Sequence, residues 1–222
     1  MEKTKIDNSI SHNNPKYKTL SYSICCLTYN MHGQTPTLEQ INQLLSIHKE
    51  KKFDIYVIGS QECLRSIFKS LFYSNKSIWE EQLKNYFGNE YENIQSVTLA
   101  AIHIIILVKK SIKNDIKQIK YNTVKTGANN ILANKGGVGI WFTLFNLNIM
   151  FINSHLASNS KCPEKRNNNF EYIMNNINHN YFNLDFVVFM GDLNYRLNLR
   201  SVNIDDIRIN YLNYIPYDQL NQ

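Results

Sequence analysis

The chain has 222 residues, of which 43% are hydrophobic and 12% aromatic, enough for one domain with a substantial core. Its net charge of +6 favours anionic partners such as phosphates, nucleic acid or an acidic membrane face, without choosing among them. Its four cysteines lack both Cys-x-x-Cys spacing and the density of a disulfide scaffold, which indicates free thiols in a reducing compartment.

Neither a signal peptide nor a membrane-spanning segment is predicted. Residues 1–5 lack an apolar core and a cleavage signature. The longest apolar run, residues 97–108, contains His103 and is too short to span a bilayer. We therefore expect a soluble cytoplasmic protein, with a polar N-terminal tail over residues 1–19 and one folded region over residues 20–222.

Hydrophobic periodicity predicts alternating strands and helices along the chain. In the first half, these cover residues 20–29 (strand), 37–49 (helix), 53–58 (strand), 64–87 (helix), 91–96 and 98–109 (strands). In the second half, a strand at 117–124 and a loop at 125–132 precede Asn134-Lys135-Gly136-Gly137, which opens a strand at 138–145. A strand at 147–154, a helix at 165–178 and a strand at 186–190 follow. The pattern predicts an α/β protein with largely mixed or antiparallel sheets.

Polar side chains stand at the ends of several predicted strands. Ligand sites in α/β proteins gather where strand ends converge, so we expect these residues to lie together. They are Asn30, Gln61-Glu62, Asn153 with His155, and Asp192 with Asn194.

The Gly191-Asp192-Leu193-Asn194 stretch has two interpretations. Gly191 breaks the apolar strand before it, and a period of two points Asp192 and Asn194 the same way off the sheet. A carboxylate can orient or deprotonate a water, and an amide can hold a phosphate oxygen. Gly-Asp-x-Asn is also a common turn, because Asp and Asn bond their own backbone after a strand. Both interpretations stay open on this stretch alone.

Glu62 and His155 also carry alternatives. One Glu with a nearby Asn is a suitable ligand set for Mg²⁺, which takes few carboxylates and keeps several waters. Glu62 would otherwise be an exposed cap of the following helix. His155 can donate to a phosphoryl oxygen, although a lone His after an apolar strand is more often structural.

Three cationic residues are candidates for phosphate binding. Lys135 stands beside two glycines that let backbone approach a phosphate, although Lys-Gly-Gly also makes a plain hairpin turn. Arg166 and Arg196 are candidate phosphate clamps, or else ordinary surface arginines. The chain has no P-loop motif and no Gly-x-Ser-x-Gly, which argues against P-loop enzymes and serine hydrolases.

The ordered motifs resemble the catalytic domain of inositol polyphosphate 5-phosphatases, in the endonuclease/exonuclease/phosphatase superfamily. The resemblance runs from about Leu20 to the last residue. It rests on Thr28-Tyr29-Asn30-Met31-His32-Gly33, Gln61-Glu62, Asn134-Lys135-Gly136-Gly137-Val138, Asn153-Ser154-His155-Leu156-Ala157, Arg166-Asn167 and Gly191-Asp192-Leu193-Asn194-Tyr195-Arg196-Leu197. The Gln-Glu and Gly-Asp-x-Asn elements occur across the superfamily, including DNase I-like nucleases, whereas Asn-Lys-Gly-Gly-Val, Ser-His-Leu-Ala and Asn-Tyr-Arg are more specific.

The resemblance implies a four-layer α/β sandwich and a Mg²⁺-dependent hydrolase. The 5-phosphate of phosphoinositides or soluble inositol phosphates would be the target, with peripheral contact to an anionic membrane and no nucleic acid partner. By residue, it implies that Asn30 and Glu62 hold the metal, that Asp192 and Asn194 orient the water and the scissile phosphate, and that His155 stabilises the phosphate. Lys135, Arg166 and Arg196 would contact the substrate or support its pocket.

The sequence departs from this family in some positions. Tyr29 stands where the family has Trp, Ser60 replaces an apolar residue, and Ser158-Asn159 replaces a small or glycine-like continuation. The family's later Pro-Thr-aromatic-Lys, Asp-Arg-Ile-Leu and Ser-Asp-His elements have no counterpart after Asp218-Gln219-Leu220. The expectation is an N-terminal portion of the domain. The alternatives are an inactive, truncated phosphoinositide-binding fragment and a DNase I-like nuclease.

Overall fold

The computed structural model describes residues 21–63, 76–158, 163–178, 183–199, 201 and 203–221. The predicted tail at 1–19 lies outside these ranges, as do residues 64–75 of the predicted helix at 64–87. The described strands are β1 (Ile24–Asn30), β2 (Ile55–Gln61), β3 (Tyr91–Leu99), β4 (Ile102–Lys109), β5 (Ile116–Gly127), β6 (Leu132–Leu144), β7 (Leu147–His155) and β8 (Phe186–Asp192). The described helices are α1 (Leu38–Leu44), α2 (Ser46–Glu50), α3 (Lys76–Phe87), α4 (Pro163–Ile177) and α5 (Ile204–Asn210), with short 3₁₀ segments at Gly88–Glu90, Lys110–Asp115 and Tyr211–Tyr217.

The strands form two four-stranded sheets, ordered β1-β2-β4-β3 and β5-β6-β7-β8. In the first sheet β1 and β2 are parallel, and in the second β7 and β8 are parallel; the other neighbours are antiparallel. The prediction of mixed sheets is confirmed. Each parallel pair lies at one side of its sheet, so the carboxyl ends of its two strands lie together.

The two sheets face each other across the main core, which holds Ile104 and Ile106 of β4 and Phe151 of β7. Burial of each such side chain contributes about 1.5–3 kcal/mol. Helices cover both outer faces. Residues of α1 and α3 pack on the first sheet, and Ile173 and Ile177 of α4 pack on the second. The order helices, sheet, sheet, helix is the predicted four-layer α/β sandwich.

The predicted helix at 37–49 is divided into α1 and α2. Thr37 caps α1 in a capping box with Gln40. Leu45 leaves the helical conformation between α1 and α2, with φ −99° and ψ 17°, and its side chain is fully buried. Anchoring this side chain in the core accounts for the corner that periodicity alone did not show.

Asn134-Lys135-Gly136-Gly137 lies inside a strand, because β6 begins at Leu132. The alternative of a hairpin turn at this motif is wrong. The turn is formed by Ala128, Asn129 and Asn130, whose φ values are +35°, +58° and +64°. Gly136 is required by close approach of the neighbouring strand, since a Cβ there would lie 2.1 Å from the Val124 carbonyl oxygen.

Gly191 does not end its strand, contrary to the prediction. β8 continues to Asp192, which is paired with His155 of β7. A Cβ on Gly191 would lie 2.0 Å from the Ser154 carbonyl oxygen, so the glycine allows β7 and β8 to approach. Asn194 follows the strand with φ +57°, so the period of two that was expected to align it with Asp192 does not hold.

Candidate active site

The carboxyl ends of both parallel pairs converge at one end of the sandwich. In the first sheet, Asn30 of β1 is paired with Gln61 of β2. In the second, His155 of β7 is paired with Asp192 of β8. The Asn30 amide nitrogen donates to Asp192 Oδ2 at 2.9 Å and so links the two sheets directly. The expectation that the polar strand ends lie together is confirmed.

Two carboxylates and an imidazole surround one point at this end. Glu62, His155 and Asp192 each offer a ligand atom, and these atoms lie within 4.8 Å of one another. Asn30 donates to Glu62 Oε1 at 3.2 Å as well as to Asp192. Two carboxylates held this close repel each other unless a cation lies between them, so the donor set fits a divalent metal ion.

Asn30 and Glu62 are held in defined orientations. The Asn30 Oδ1 oxygen accepts from the His32 backbone N–H at 2.9 Å, which turns the amide nitrogen toward the carboxylates. In this orientation the Asn30 amide nitrogen faces the two carboxylates and orients them. A rotation of the amide by 180° would place its oxygen there instead, as a metal ligand requires. Glu62 has φ +53°, a left-handed conformation that costs a non-glycine residue about 1–3 kcal/mol. Such strain is typical of functional sites.

Lys135 brings a cation to the same point. Its Nζ lies 2.5 Å from His155 Nε2, which is itself 3.6 Å from Asp192 Oδ2. Burial lowers the pKa of Lys135, while Asp192 and Glu62 oppose that shift. Burial and the Lys135 charge lower the pKa of His155, again against the two carboxylates. The site therefore combines a cation, an imidazole and two carboxylates, which together can bind a metal ion and a phosphate.

A buried amide network lies beneath these residues and joins the sheets. Gln61 Nε2 donates to Asn153 Oδ1 at 2.6 Å, and Asn153 Nδ2 donates to the carbonyls of Ser60 and His103 at 3.1 and 2.9 Å. The sequence showed Gln61 and Asn153 only as polar strand ends. A polar residue within the apolar run of β7 was the available signal, since a buried amide without partners is costly.

The Asp192 side chain bonds the backbone two residues further on, as the turn interpretation of Gly191-Asp192-Leu193-Asn194 predicts. The Asn194 backbone N–H donates to Asp192 Oδ1 at 3.2 Å. The Asn194 side chain donates to the Leu156 carbonyl at 3.1 Å and accepts from Arg196 at 2.9 Å. The other oxygen of Asp192 faces Asn30 and His155, so the turn and the site use different oxygens of one carboxylate.

The two candidate arginines lie in different environments. Arg196 reaches Asn194 from an exposed position at the rim of the site. Arg166 of α4 is fully buried behind the site, where it donates to the Ala157 carbonyl at 3.4 Å and to Gln219. Arg166 thus supports the site from behind in this structure. A substrate contact by either arginine remains a prediction.

The fold and the strand-end site define a member of the endonuclease/exonuclease/phosphatase class. The family model for Endonuclease/Exonuclease/phosphatase family 2 matches residues 27–222, and the chain belongs to this family. It is 35% identical over 179 residues to phosphatidylinositol 3,4,5-trisphosphate 5-phosphatase 2A of Danio rerio, covering 75% of this chain and 13% of that protein. It is 30% identical over 196 residues to polyphosphatidylinositol phosphatase INP53 of Saccharomyces cerevisiae, covering 84% and 17%. The chain therefore spans less than a fifth of these relatives.

Solved structures agree on the architecture. The inositol polyphosphate 5-phosphatase domain of SPsynaptojanin, in complex with inositol (1,4)-bisphosphate and calcium ion, matches 90% of this chain and 61% of its own. The TM-score is 0.75 at 28% identity. A Cimex nitrophorin also matches, with TM-score 0.67 at 15% identity, which shows the fold alone. The resemblance to inositol polyphosphate 5-phosphatases is confirmed.

Proposed function

We propose that this domain hydrolyses the 5-phosphate of phosphoinositides or inositol polyphosphates in a Mg²⁺-dependent reaction. The observation that carries the proposal is the convergence of Glu62, Asp192 and His155 within 4.8 Å, with Lys135 against His155. The names of the two relatives support this substrate class: one is a phosphatidylinositol 3,4,5-trisphosphate 5-phosphatase and the other a polyphosphatidylinositol phosphatase. The structural relative holds inositol (1,4)-bisphosphate and calcium ion, which supports a divalent cation.

Glu62 and Asp192 would hold the metal ion, with Asn30 orienting or completing the ligand set. When bound, Mg²⁺ would neutralise charge on the phosphate oxygens. Asp192 would also orient the water that attacks phosphorus in line with the leaving inositol oxygen. Its carboxylate is fixed on one side by the Asn194 N–H and on the other by the Asn30 amide, so little reorientation is needed.

Lys135 and His155 would stabilise the oxygens of the scissile phosphate. Lys135 lines a cleft of about 280 Å³ whose wall combines small apolar residues with polar and cationic ones, among them Thr126, Asn134 and Lys165. This cleft supports a substrate that carries more than one phosphate. Arg196, at the rim of the site, would contact the substrate. Asn194 would orient the scissile phosphate.

We also propose that the domain acts peripherally on anionic membranes from the cytoplasm. The β5–β6 hairpin places Ile131 and Leu132, which are 70% and 52% exposed, at its tip. Gly136 on the same hairpin is paired with His155, so the tip extends beyond the active-site end of the sheet. Apolar side chains here can enter a lipid surface while the site faces the headgroups. Within the described residues, no helix has both the length and the apolar character needed to cross a bilayer.

The test is phosphate release from phosphatidylinositol 4,5-bisphosphate and inositol 1,4,5-trisphosphate, beside nicking of plasmid DNA, each with Mg²⁺ or with EDTA. Phosphate release that EDTA abolishes would support the proposal, whereas binding of these ligands without release would favour the inactive phosphoinositide-binding fragment. Asp192→Asn should lower the rate by about 10²- to 10³-fold, the size of one lost electrostatic contact, because the amide lacks the negative charge that would bind the metal ion and orient the water.

Asp185→Asn is the matched control, because Asp185 lies just before β8 at the opposite end from Asp192, where it accepts from the Asn148 N–H. It should retain the wild-type rate. DNA nicking without phosphate release would replace the phosphatase proposal with a nuclease. Release that persists in Asp192→Asn would contradict the site assignment.

A further inference from the structure

Gln219 connects the end of the described chain to the segment that follows Asp192. Its side chain is 9% exposed, and its Oε1 accepts from the Arg196 backbone N–H at 3.0 Å. Its Nε2 donates to Asn198 Oδ1 at 2.7 Å, and its own N–H donates to the Arg196 carbonyl at 3.0 Å. One glutamine thus fixes both the N–H and the C=O of Arg196. The sequence singled out Asp218-Gln219-Leu220 without giving it a role.

Arg166 meets the same glutamine from α4. Its guanidinium donates to Gln219 Oε1 and, through the other arm, to the Ala157 carbonyl at 3.4 Å. The guanidinium also lies over the Tyr195 ring, 5.2 Å from the ring centroid. Arg166 is fully buried, so it cannot touch a substrate unless the surrounding chain moves. Two of its contacts, with Ala157 and with Tyr195, are with the loops that leave β7 and β8.

These two loops directly follow the strand ends that carry the proposed reacting groups, His155 and Asp192. Ala157 stands two residues after His155, and the intervening Leu156 N–H donates to the Asp192 carbonyl at 3.0 Å. The Leu156 carbonyl accepts from Asn194, whose N–H holds Asp192 Oδ1. The orientation of the Asp192 carboxylate therefore depends on hydrogen bonds through Leu156 and Asn194. Arg166 and Gln219 bind the backbone on either side of these residues, at Ala157 and Arg196.

We propose that Arg166 and Gln219 are positioning residues, a buried clamp that holds the loops after His155 and Asp192 in register. The kinetic part of this proposal rests on the proposed phosphatase function. The clamp replaces direct phosphate binding as the role of Arg166. The clamp also gives the Asp218-Gln219-Leu220 segment a role, because the Gln219 side chain accepts the hydrogen bond from Arg166 of α4.

The first test is amide hydrogen exchange in Gln219→Leu, which keeps the side-chain size but removes the polar contacts of the side chain. Exchange over residues 192–198 and 155–158 should rise at least tenfold, while β2 and β4 stay as in the wild type. Gln219→Glu keeps an acceptor for both Arg166 and the Arg196 N–H, and should return exchange to within about threefold. Gln82→Leu is the matched control, since Gln82 of α3 donates to the Pro36 carbonyl in the loop after β1 and not to the loops after β7 and β8.

Arg166→Lys keeps the charge but loses one donor arm, and it should raise exchange over the same residues as Gln219→Leu. This second variant decides the test if Gln219→Leu does not fold. Unchanged exchange over residues 192–198, or faster exchange throughout the chain, would overturn the clamp.

The second test is the kinetic response with inositol 1,4,5-trisphosphate. Gln219→Leu should lower kcat by about 10²-fold, the cost of a displacement near 1 Å, with KM changed less than about threefold. Gln219→Glu should recover most of kcat. Loosened loops with an unchanged kcat would overturn the positioning role. If the wild-type chain releases no phosphate, the proposed function fails, and the exchange pattern still decides whether the clamp exists.

Discussion

At the scale of single residues, Asp192 shows how one carboxylate serves both structure and chemistry. Oδ1 belongs to a turn, through the Asn194 N–H, and Oδ2 faces Asn30 and His155. The two interpretations that the sequence left open are thus compatible. They stood as alternatives because a motif does not show that the two oxygens of one carboxylate face different partners.

Asp54, outside the site, tests how one ionised carboxylate contributes to the stability of the fold. It accepts from the Ser23 N–H and hydroxyl at 2.8 Å each and from Lys109 at 2.9 Å, which joins the starts of β1 and β2 to the end of β4. Burial alone would raise the pKa of Asp54, but the hydrogen bonds from Lys109 and Ser23 outweigh it and lower the pKa. A depressed pKa means that the ionised form stabilises the fold.

This stabilisation should be complete above the ordinary aspartate pKa of about 4, and should be lost as the pH falls through the lower folded value. Asp54→Asn should therefore lower the free energy of unfolding by about 1–2 kcal/mol at pH 7, with the deficit shrinking below about pH 4. Urea titrations across pH 3–8 measure this, with Asp205→Asn, at an 82% exposed side chain, as control. A deficit that is constant with pH would contradict the ionic origin.

At the scale of elements, the β5–β6 hairpin carries both Lys135, a proposed substrate contact, and the exposed Ile131 and Leu132, a proposed membrane contact. Replacing Ile131 and Leu132 by serine should slow hydrolysis of phosphatidylinositol 4,5-bisphosphate in anionic vesicles by about tenfold or more, because each lost apolar side chain weakens lipid partitioning. Hydrolysis of soluble inositol 1,4,5-trisphosphate should stay within about twofold. The control is Phe145→Ser, at an exposed apolar residue in the β6–β7 turn at the other end of β6. Equal losses on both substrates would contradict membrane contact.

The same hairpin shows what local sequence could not supply. Asn134-Lys135-Gly136-Gly137 has the composition of a turn, yet it pairs with β5 because Gly136 accommodates the Val124 carbonyl of the neighbouring strand. The turn uses Ala128, Asn129 and Asn130. Strand partners at a distance in sequence decide which polar, glycine-containing stretch is the turn, and a single chain without structure does not reveal those partners.

At the scale of the whole molecule, the alternation of apolar and polar segments predicted an α/β protein with largely mixed or antiparallel sheets, whose polar strand ends converge. The four-layer sandwich and the residue roles came from the family resemblance. What needed the structure was the packing between sheets: the Gln61–Asn153 bridge, and the Arg166–Gln219 contact across α4 and the C-terminal segment. These contacts join residues far apart in sequence, and hydrophobic periodicity carries no information about them.

The fold alone does not identify the reaction. A nitrophorin shares the architecture at 15% identity. Function therefore depends on the side chains at the strand ends rather than on the sandwich. Here those side chains combine two carboxylates, an imidazole and a lysine, which fits phosphate hydrolysis with a divalent cation.

The most direct test of the proposed 5-phosphatase activity is the ³¹P NMR spectrum of inositol 1,4,5-trisphosphate incubated with the chain and Mg²⁺. This activity predicts that the 5-phosphate resonance disappears and that of inorganic phosphate grows, while the 1- and 4-phosphates stay intact. No change is expected in EDTA. Persistence of all three ester resonances, or loss of the 1- or 4-phosphate first, would contradict it.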